Sequence, residues 1–296
     1  MSHFLSPPSS PASWHGHLQL EFTHCPGETL LSRSQVQAPL KVQRPFYPEG
    51  SEVCHTVMLH TAGGIVGGDR LSVDICLNPQ SQALITTAAA TKIYRSSGAA
   101  ARQSTQIRVA TGACLEWFPQ ESIVFNGAIY RQDLRVELEA ESLWLGWEIT
   151  RLGRSARGET FLSGEWRSHT EVWQQGRLLW VDPQRLMGGS DMLHSLHGLA
   201  SYPVIASFAL VGQSISPQLV TKARELFMPG LPASGLPASG LPASGQSGTT
   251  RLQSGLLCRY RGHSTSEARQ WFIQVWHLLR AEVMGRSGCI PRVWPT

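Results

Sequence analysis

The sequence has few charges and no long apolar run. Charged residues make up 16% of the 296 positions, the formal net charge is +4, and Lys and Arg do not form a cluster. A basic cluster is typical of a nucleic-acid surface, and none is present. No apolar segment approaches the roughly 20 residues that a membrane-spanning helix needs. We therefore expect neither a nucleic acid nor a membrane as a partner.

The six cysteines are scattered, and none belongs to a Cys-x-x-Cys motif. A closed structural zinc site is therefore not predicted. Scattered cysteines in a chain of this length fit reduced thiols in a cytosolic protein. Residues 1–13 are rich in Ser and Pro and lack the basic and apolar stretches of a secretory signal. We predict a soluble cytoplasmic protein with a disordered tail over residues 1–13.

Between Trp14 and about Val211, apolar and polar residues alternate with the period of two that a half-buried strand requires. Turn signals such as Asn126-Gly127 separate the runs. The sequence therefore predicts a mainly β body of many short strands. The clearest runs contain Leu18, Leu20 and Phe22; Val36, Ala38, Leu40 and Val42; Leu71, Val73, Ile75 and Leu77; and Leu134, Val136 and Leu138.

Two α-helices are predicted in the C-terminal third of the chain. The first begins with Ser216 as its N-cap and Pro217 in the first helical position. The second begins with a capping box from Ser264 to Glu267 and ends at Gly285. Its wide apolar stripe carries Trp and Phe and needs a partner surface. We interpret the stripe as a face that packs on the protein's own sheet, with a protein interface as the alternative.

A repeat lies between the two predicted helices. Gly-Leu-Pro-Ala-Ser occurs three times in succession over residues 230–244. This composition cannot form a packed core. We predict a disordered loop over residues 229–250, within a single domain that spans residues 14–296.

The segment GGIVGGD, from Gly63 to Asp69, is the densest cluster of glycines. Glycine-rich loops cradle phosphates, but a P-loop continues with Gly-Lys-Ser/Thr and a helix. Here Arg70 and a predicted strand follow Asp69. A strand–turn–strand in which glycines adopt positive φ or pack closely is therefore favoured over nucleotide binding.

Two carboxylates, Glu116 and Glu121, lie among bulky apolar residues in the segment LEWFPQE. A carboxylate pair can perform acid–base catalysis or bind a cation. A glutamate beside Trp117 can instead neutralise a buried arginine, and the sequence leaves these alternatives open. The histidines form no metal-binding motif, and no serine triad or nucleophile elbow is present.

The order of several motifs is more informative than any one of them. The chain contains, in sequence, HTAGGIVGGDRL from residue 60, TTAAATKIYRS from residue 86, LEWFPQE from residue 115, FNGA from residue 125, LGRSARGETF from residue 152 and PRVWPT from residue 291. This order resembles the UreD/UreH family of urease accessory proteins over about residues 14–296. Asn126 departs from the pattern, because many relatives resemble Phe-Asp-Gly-Ala at that place.

The resemblance implies a β-helix-like or multi-sheet body with two helices, and a role without catalysis. It implies binding to the urease accessory proteins F and G, the latter a GTPase, and docking of that assembly onto apo-urease. Nickel(II) would be a transient cargo passing along an internal path, and no tightly bound cofactor is expected. A β-rich enzyme that uses Glu116 and Glu121 as an acid–base pair is the alternative function.

Carboxylates exchange a metal ion faster than closed His/Cys sites, so the carboxylates inside the family-like motifs are the candidates for a nickel path. They are Asp69, Glu116, Glu121 and Glu159. Other residues of the same motifs are candidates for structural or interface roles. They are His60, Gly63, Gly64, Gly67, Gly68, Thr87, Lys92, Tyr94 and Arg154.

We predict that the purified protein binds neither GTP nor ATP tightly, because Asp69 and Arg70 stand where a P-loop needs Lys and Ser/Thr. Calorimetric titration with each nucleotide and Mg²⁺ checks this. Micromolar binding at a single site would show the prediction to be wrong.

Overall fold

The computed structural model describes residues 14–154, 157–227 and 245–294. Strands dominate the N-terminal two thirds of the chain. They are β1 His15–Cys25, β2 Glu28–Gln37, β3 Leu40–Val42, β4 Val53–His60, β5 Arg70–Leu77, β6 Gln82–Thr87, β7 Thr91–Ile93, β8 Ala101–Val109, β9 Cys114–Phe118, β10 Ser122–Val124, β11 Ile129–Leu138, β12 Leu143–Leu152, β13 Glu165–Gln174 and β14 Arg177–Met187. The remaining elements are a 3₁₀ turn Asp191–Leu193, β15 Val204–Val211, α1 Pro217–Glu225, β16 Gln246–Leu252, β17 Gly255–Gly262 and α2 Thr265–Met284.

The chain coils between two sheets in the manner of a β-solenoid. Between β4 and β13 the main strands alternate between the sheets, so each coil adds one strand to each. Strands β5, β8, β11 and β13 are parallel neighbours in one sheet, and β4, β6, β9 and β12 are parallel neighbours in the other. The mainly β body predicted from the alternation and the β-helix-like form implied by the resemblance are both confirmed.

The two sheets differ in what covers them. The open sheet has seven strands in the order β14-β13-β11-β8-β5-β1-β2. The covered sheet has ten, with the main order β16-β17-β15-β12-β9-β6-β4-β3, while β10 pairs with β12 and β7. Helix α2 contacts β12, β15 and β17 of the covered sheet. The described residues therefore form three layers, in which α2 covers one sheet and the outer face of the open sheet faces solvent.

Alternation along the strands fills the space between the sheets. In β1 and β5 the predicted apolar sets Leu18, Leu20, Phe22 and Leu71, Val73, Ile75, Leu77 are all buried. Successive side chains of a strand point to opposite faces, so the polar residues between them lie on the outer face of the open sheet. This first core joins both sheets, and a second core joins the covered sheet to α2.

Both predicted helices are present. The Ser216 hydroxyl accepts a hydrogen bond from the Leu219 amide at the start of α1, and the Ser264 hydroxyl accepts one from the Glu267 amide at the start of α2. Gly285 ends α2 with φ of 66°. The stripe of α2 packs on the covered sheet, which confirms the intramolecular interpretation. Its buried residues are Ala268, Trp271, Phe272, Val275, Trp276, Leu279 and Arg280.

Two predicted boundaries were wrong. The run Val36–Val42 is not one strand, because β2 ends at Gln37 and the Ala38-Pro39 peptide interrupts it before β3. The predicted disordered loop at 229–250 extends too far, because Gln246–Leu252 forms β16 and pairs with β17. The rest of that loop, residues 229–244, lies outside the described residues, as does the predicted tail at 1–13.

Candidate functional site

The glycine segment forms the turn between β4 and β5, as the strand–turn–strand interpretation predicted. A Cβ on Gly64 would lie 2.4 Å from the Tyr94 ring and 2.7 Å from the Lys92 carbonyl. A Cβ on Gly67 would lie 2.7 Å from the Ala99 carbonyl. The Tyr94 hydroxyl donates to the Gly63 carbonyl at 3.1 Å. Close packing against the β7 segment therefore requires these glycines, and no phosphate is needed to explain them.

Asp69 fixes the same turn from inside. Its carboxylate accepts hydrogen bonds from the Trp14 amide at 3.0 Å and the Val66 amide at 2.9 Å, and the residue is 2% exposed. Gly68, with φ of 94°, precedes it in the left-handed region. The two amide contacts account for both carboxylate oxygens, so the geometry of Asp69 is that of a turn anchor.

Glu159 also anchors a loop. It accepts a hydrogen bond from the Asn126 amide at 2.7 Å and from Arg154 Nε at 2.6 Å. Although partial burial opposes it, these bonds lower the pKa of Glu159. The Asn126 side-chain oxygen accepts hydrogen bonds from the Leu162 and Ser163 amides. An aspartate could accept the same bonds, which explains why the departure at Asn126 is compatible with the fold.

Glu116 lies under α2 in a buried ionic cluster. Its carboxylate accepts hydrogen bonds from Arg280 Nε at 2.8 Å, Arg280 Nη2 at 2.7 Å and Trp276 Nε1 at 2.5 Å. Arg280 is fully buried and also donates to Glu49 at 2.6 and 2.9 Å. His55 contacts Glu49 at 2.6 Å. The structure therefore supports the interpretation in which this glutamate neutralises a buried arginine.

Glu121 is held in the same way by a second arginine of α2, because Arg269 donates to it. The carboxylates predicted for nickel are thus dispersed. Asp69 and Glu159 lie in loops, and Glu116 and Glu121 face the helix. Within residues 14–154, 157–227 and 245–294, no group of three or more His, Cys, Asp or Glu side chains is arranged to hold a metal ion.

His60 and Thr87 line a cavity of about 300 Å³ beside the glycine turn. The His60 Nε2 atom is buried and lacks a hydrogen-bond partner among the described residues. Burial also lowers the pKa of His60. Gly63, Gly64 and Lys92 form part of the wall. The structure therefore brings together five of the residues that the motifs singled out, around a cavity that the sequence did not predict.

A second, narrower cavity of about 70 Å³ lies between the two sheets. Polar side chains face it from both sides, which is unusual for the interior of a two-sheet core. It contains two carboxylates, Glu148 of β12 and Asp182 of β14. The other polar lining residues are Thr87, Thr91, Gln103, Thr105, Gln120, Ser122, Gln132, Thr170 and Ser207.

Glu148 is the most perturbed carboxyl group of this cavity. Desolvation between the sheets raises its pKa to about 7, and the charge of Asp182 acts in the same direction. Hydrogen bonds from the Ser168 hydroxyl at 2.6 Å and the Thr150 hydroxyl at 3.2 Å partly offset that rise. The pKa of this carboxyl therefore lies close to neutral pH, where both of its protonation states are accessible.

Asp182 carries its own cation. Its carboxylate accepts a hydrogen bond from Arg259 Nη2 at 2.7 Å and one from Gln184 at 3.0 Å. Asp182 is 6% exposed, whereas the Arg259 side chain is 47% exposed. Glu148, Ser207 and Arg259 are cross-strand neighbours on β12, β15 and β17. The arginine thus reaches into the interior cluster from the edge of the covered sheet.

One further group points to a hydrated interior. Trp144 lines the narrow cavity, is 2% exposed, and its indole Nε1 has no partner among the described residues. A buried N–H without a partner costs about 1–3 kcal/mol. A polar cavity of this volume has room for a water molecule.

Sequence reasoning missed Glu148, Asp182 and Arg259. The two carboxylates could have been found from their positions in the alternation of each strand, which places them on the same face as buried apolar residues. In β12, Glu148 shares the inward phase with Trp144, and in β14 Asp182 shares it with Trp180 and Leu186. A carboxylate on the inward-facing side of a strand is unusual, and such a residue is therefore a candidate for a functional role.

The fold and the interior define a β-solenoid-like protein with a polar internal cavity. A sequence model described as UreD urease accessory protein matches residues 15–295. The chain therefore belongs to the UreD family of urease accessory proteins, as the motif order indicated.

Relatives with the printed name "Urease accessory protein UreD" match almost end to end. The protein of Nostoc punctiforme is 60% identical over 281 residues, covering 95% of this chain and 96% of the relative. That of Acaryochloris marina is 53% identical, covering 97% of each chain. That of a Synechocystis strain is 40% identical, covering 90% of this chain and 95% of the relative. These names suggest a role without catalysis. Neither α-helix in the described ranges combines the length and apolar character needed to cross a bilayer.

We predict that Glu116→Gln lowers the free energy of unfolding by at least about 3 kcal/mol. The substitution replaces a carboxylate oxygen with a donor that faces Trp276 and Arg280, so at least one charge-assisted bond is lost in a buried place. Glu148→Gln should change the free energy of unfolding by less than about 1 kcal/mol, because the amide oxygen can accept one hydroxyl bond, the amide nitrogen can donate to the other hydroxyl oxygen, and no partner cation is left unpaired. Urea unfolding of both variants measures this. Equal losses would contradict the structural assignment of Glu116.

We predict that Glu49 makes stability depend on pH in acid. Burial alone would raise its pKa, but hydrogen bonds from His55 and Arg280 outweigh burial and lower it from 4.5 to about 2. The ionised Glu49 carboxylate therefore adds about 3 kcal/mol to the free energy of unfolding at pH values above its unfolded-state pKa. This contribution is lost as the pH falls from 4.5 to about 2. The stability difference between the wild type and Glu49→Gln should shrink over that range. Glu52→Gln, at an exposed neighbour, is the control, and a difference that stays constant down to pH 2 would contradict the prediction.

Proposed function

We propose that the protein is a scaffold in the maturation of urease in the cytoplasm, where it helps deliver nickel(II) into apo-urease together with accessory proteins F and G. Membership of the UreD family and the printed names of relatives at 40–60% identity support the urease accessory role. In this role nickel is cargo that the protein passes on, not a resident cofactor.

The observation that carries the nickel part of the proposal is that the interior cavities are neighbours with shared wall residues. The cavity beside the glycine turn and the narrow cavity share Met58, Thr87, Thr91 and Gln103 as walls. The narrow cavity and an open groove between β14 and β16–β17 share Ser207. Three neighbouring cavities therefore lie between the glycine turn and the groove beside β16 and β17, and we propose that they open into one another when nickel passes.

The chemistry of the narrow cavity suits passage better than storage. Nickel(II) binds imidazole and thiolate sites strongly, whereas carboxylate and hydroxyl oxygens hold it weakly. Glu148, Asp182 and the neighbouring hydroxyls of Ser168 and Ser207 provide only oxygen ligands. A divalent ion leaving water needs nearby anions to offset its desolvation. Two carboxylates meet that need without forming a closed metal site.

Most of the charge in the cluster is offset when no ion is present. Arg259 neutralises Asp182, and the raised pKa of Glu148 allows this carboxyl to be protonated near neutral pH. An arriving cation can therefore displace a proton from Glu148 and the guanidinium from Asp182. Because the Arg259 side chain is 47% exposed, it can turn into solvent with little rearrangement of the fold.

The carboxylates first chosen from the motifs have a different kind of environment. Asp69 and Glu159 bind loop amides, and Glu116 and Glu121 bind arginines of α2. A part for them in nickel transfer stays a prediction. The alternative of an enzyme with Glu116 and Glu121 as an acid–base pair is less well supported, because different arginines engage the two side chains.

We predict that Glu148→Gln combined with Asp182→Asn lowers the nickel content of urease at least fivefold. The amides keep the size and acceptor oxygens of the carboxyls but remove the charge that offsets desolvation of the ion. Urease would be purified after co-expression with the accessory proteins and each variant, and its nickel measured by mass spectrometry. Pull-down of the accessory proteins and of apo-urease by the variant should be unchanged.

Asp74→Asn is the matched control, because Asp74 lies on the outer face of the open sheet and should leave nickel loading normal. Normal loading by the double variant would reject the interior passage while leaving the accessory role intact. Lost loading together with lost pull-down would assign these carboxylates to the integrity of the complex and not to transfer.

A further inference from the structure

A row of five arginines crosses the outer face of the open sheet. Cross-strand register pairs Arg70 of β5 with Arg102 of β8, Arg102 with Arg131 of β11, Arg131 with Arg167 of β13, and Arg167 with Arg185 of β14. Residues paired in register point to the same face. The buried neighbours Leu71, Ser168 and Leu186 face the interior, so the arginines face solvent. We call this set the arginine row.

The row is only partly neutralised. Arg131 binds Asp133, and Arg167 and Arg185 share Glu165. Arg70 and Arg102 are exposed and have no acidic side chain within ion-pair distance in the part of the chain that the structure describes. Bringing adjacent like charges together across a sheet is destabilising. Repulsion between Arg70 and Arg102 therefore lowers the stability of the isolated protein. An anionic partner bound to both side chains would remove that repulsion.

Exposed apolar side chains border the row at both ends. Trp14 is 47% exposed and precedes β1, and Val66 lies in the turn that leads into β5. Leu162 is 60% exposed and Met187, at the end of β14, is 45% exposed. Arg and Trp surrounded by apolar contacts are the composition of binding hot spots between proteins. The combination indicates a protein interface.

The pattern of charge favours a protein over a nucleic acid. The carboxylates Asp133 and Glu165 lie within the row, and Asp74, Glu137 and Glu171 lie on the same face further along the strands. A continuous line of phosphates would be repelled by them, whereas separate carboxylates of a protein can be placed to avoid them. Nucleic-acid surfaces are far more uniformly positive than this one.

The spacing favours a helix in that protein. Neighbouring strands lie about 4.8 Å apart, so the row spans about 19 Å. Acidic residues at i, i+4, i+7 and i+11 form one face of an α-helix, with about 5.4 Å for each turn. Equivalent side chains along an extended strand repeat at about 6.7 Å and fit the row less well. Arginine side chains are long enough to absorb the small mismatch with the helix.

We propose that the arginine row, with its apolar border, is a docking surface for an acidic amphipathic helix of a partner protein. The helix lies across β5, β8, β11, β13 and β14, its carboxylates bind Arg70 and Arg102, and its apolar residues contact Trp14 or Met187. This inference is independent of the interior passage, because the row and the cavity lie on opposite faces of the same sheet.

The test uses the full chain and a fluorescent helical peptide of about 18 residues with four glutamates at i, i+4, i+7 and i+11 spacing. A peptide of the same composition in scrambled order and a short DNA duplex serve as competing probes. Fluorescence anisotropy at low salt gives the Kd of each. The variants are Arg70→Glu combined with Arg102→Glu, and Arg108→Glu, which changes an exposed arginine on the same face of β8 at its other end.

We expect the patterned peptide to bind, the double variant to bind it at least tenfold more weakly, and Arg108→Glu to change the Kd less than twofold. Unchanged thermal midpoints would show that the variants are folded, and Arg70→Gln with Arg102→Gln replaces the double variant if it unfolds. Equal affinity for the scrambled peptide, an equal loss with Arg108→Glu, or no binding at all would overturn the proposal. Tighter binding of the DNA duplex would also overturn it.

Discussion

The structure depends on the register of its parallel strands. Successive strands of the coil belong alternately to the two sheets, and each strand pairs in register with the equivalent strand of the next coil. Because successive residues of a strand point to opposite faces, register assigns every residue of a coil to the interior or to solvent. A shift of one residue in β14 would expose Asp182 and bury Arg185. The polar cavity and the arginine row are therefore two results of one constraint, formed by adjacent residues of the same strands.

The helix layer depends on a different interaction. Arg280 is fully buried, and Glu116 and Glu49 accept its hydrogen bonds from β9 and from the turn before β4. Buried ion pairs of this kind contribute little net stability compared with apolar residues, but removing one partner is costly. Apolar packing of Trp271, Phe272 and Trp276 supplies the attraction between α2 and the covered sheet. We infer that the ionic cluster fixes the position of α2 along that sheet.

Local pattern was sufficient to predict much of this fold. Alternation identified β1, β5 and β11, and capping residues located α1 and α2, because those signals depend on neighbours in sequence. The break between β2 and β3 was missed, since Val36, Leu40 and Val42 kept an alternating pattern across the Ala38-Pro39 peptide. Strand β16 was missed because its sequence, Gln246–Leu252, is mainly polar and its pairing with β17 decides its structure.

The site was harder to predict than the fold. Motif order led to the correct family and to the glycine turn, but the carboxylates that share the interior cavity come from β12 and β14 and belong to none of those motifs. Glu116 and Arg280 are 164 positions apart, and their contact depends on how α2 docks. Long-range pairings of this kind leave no periodic trace in one sequence, so the sequence left open whether Glu116 was a ligand or the partner of an arginine.

Strand β14 contributes to both the cavity and the arginine row and is also an edge strand of its sheet. It provides Asp182 to the cavity and Arg185 to the outer surface, and it pairs only with β13 among the described strands. A strand bonded along one edge opens at lower free energy than one held on both sides. On its other side, the ion pair between Asp182 and Arg259 joins β14 to the covered sheet. A contact at Arg185 outside and a contact at Asp182 inside therefore act on the same strand, three residues apart.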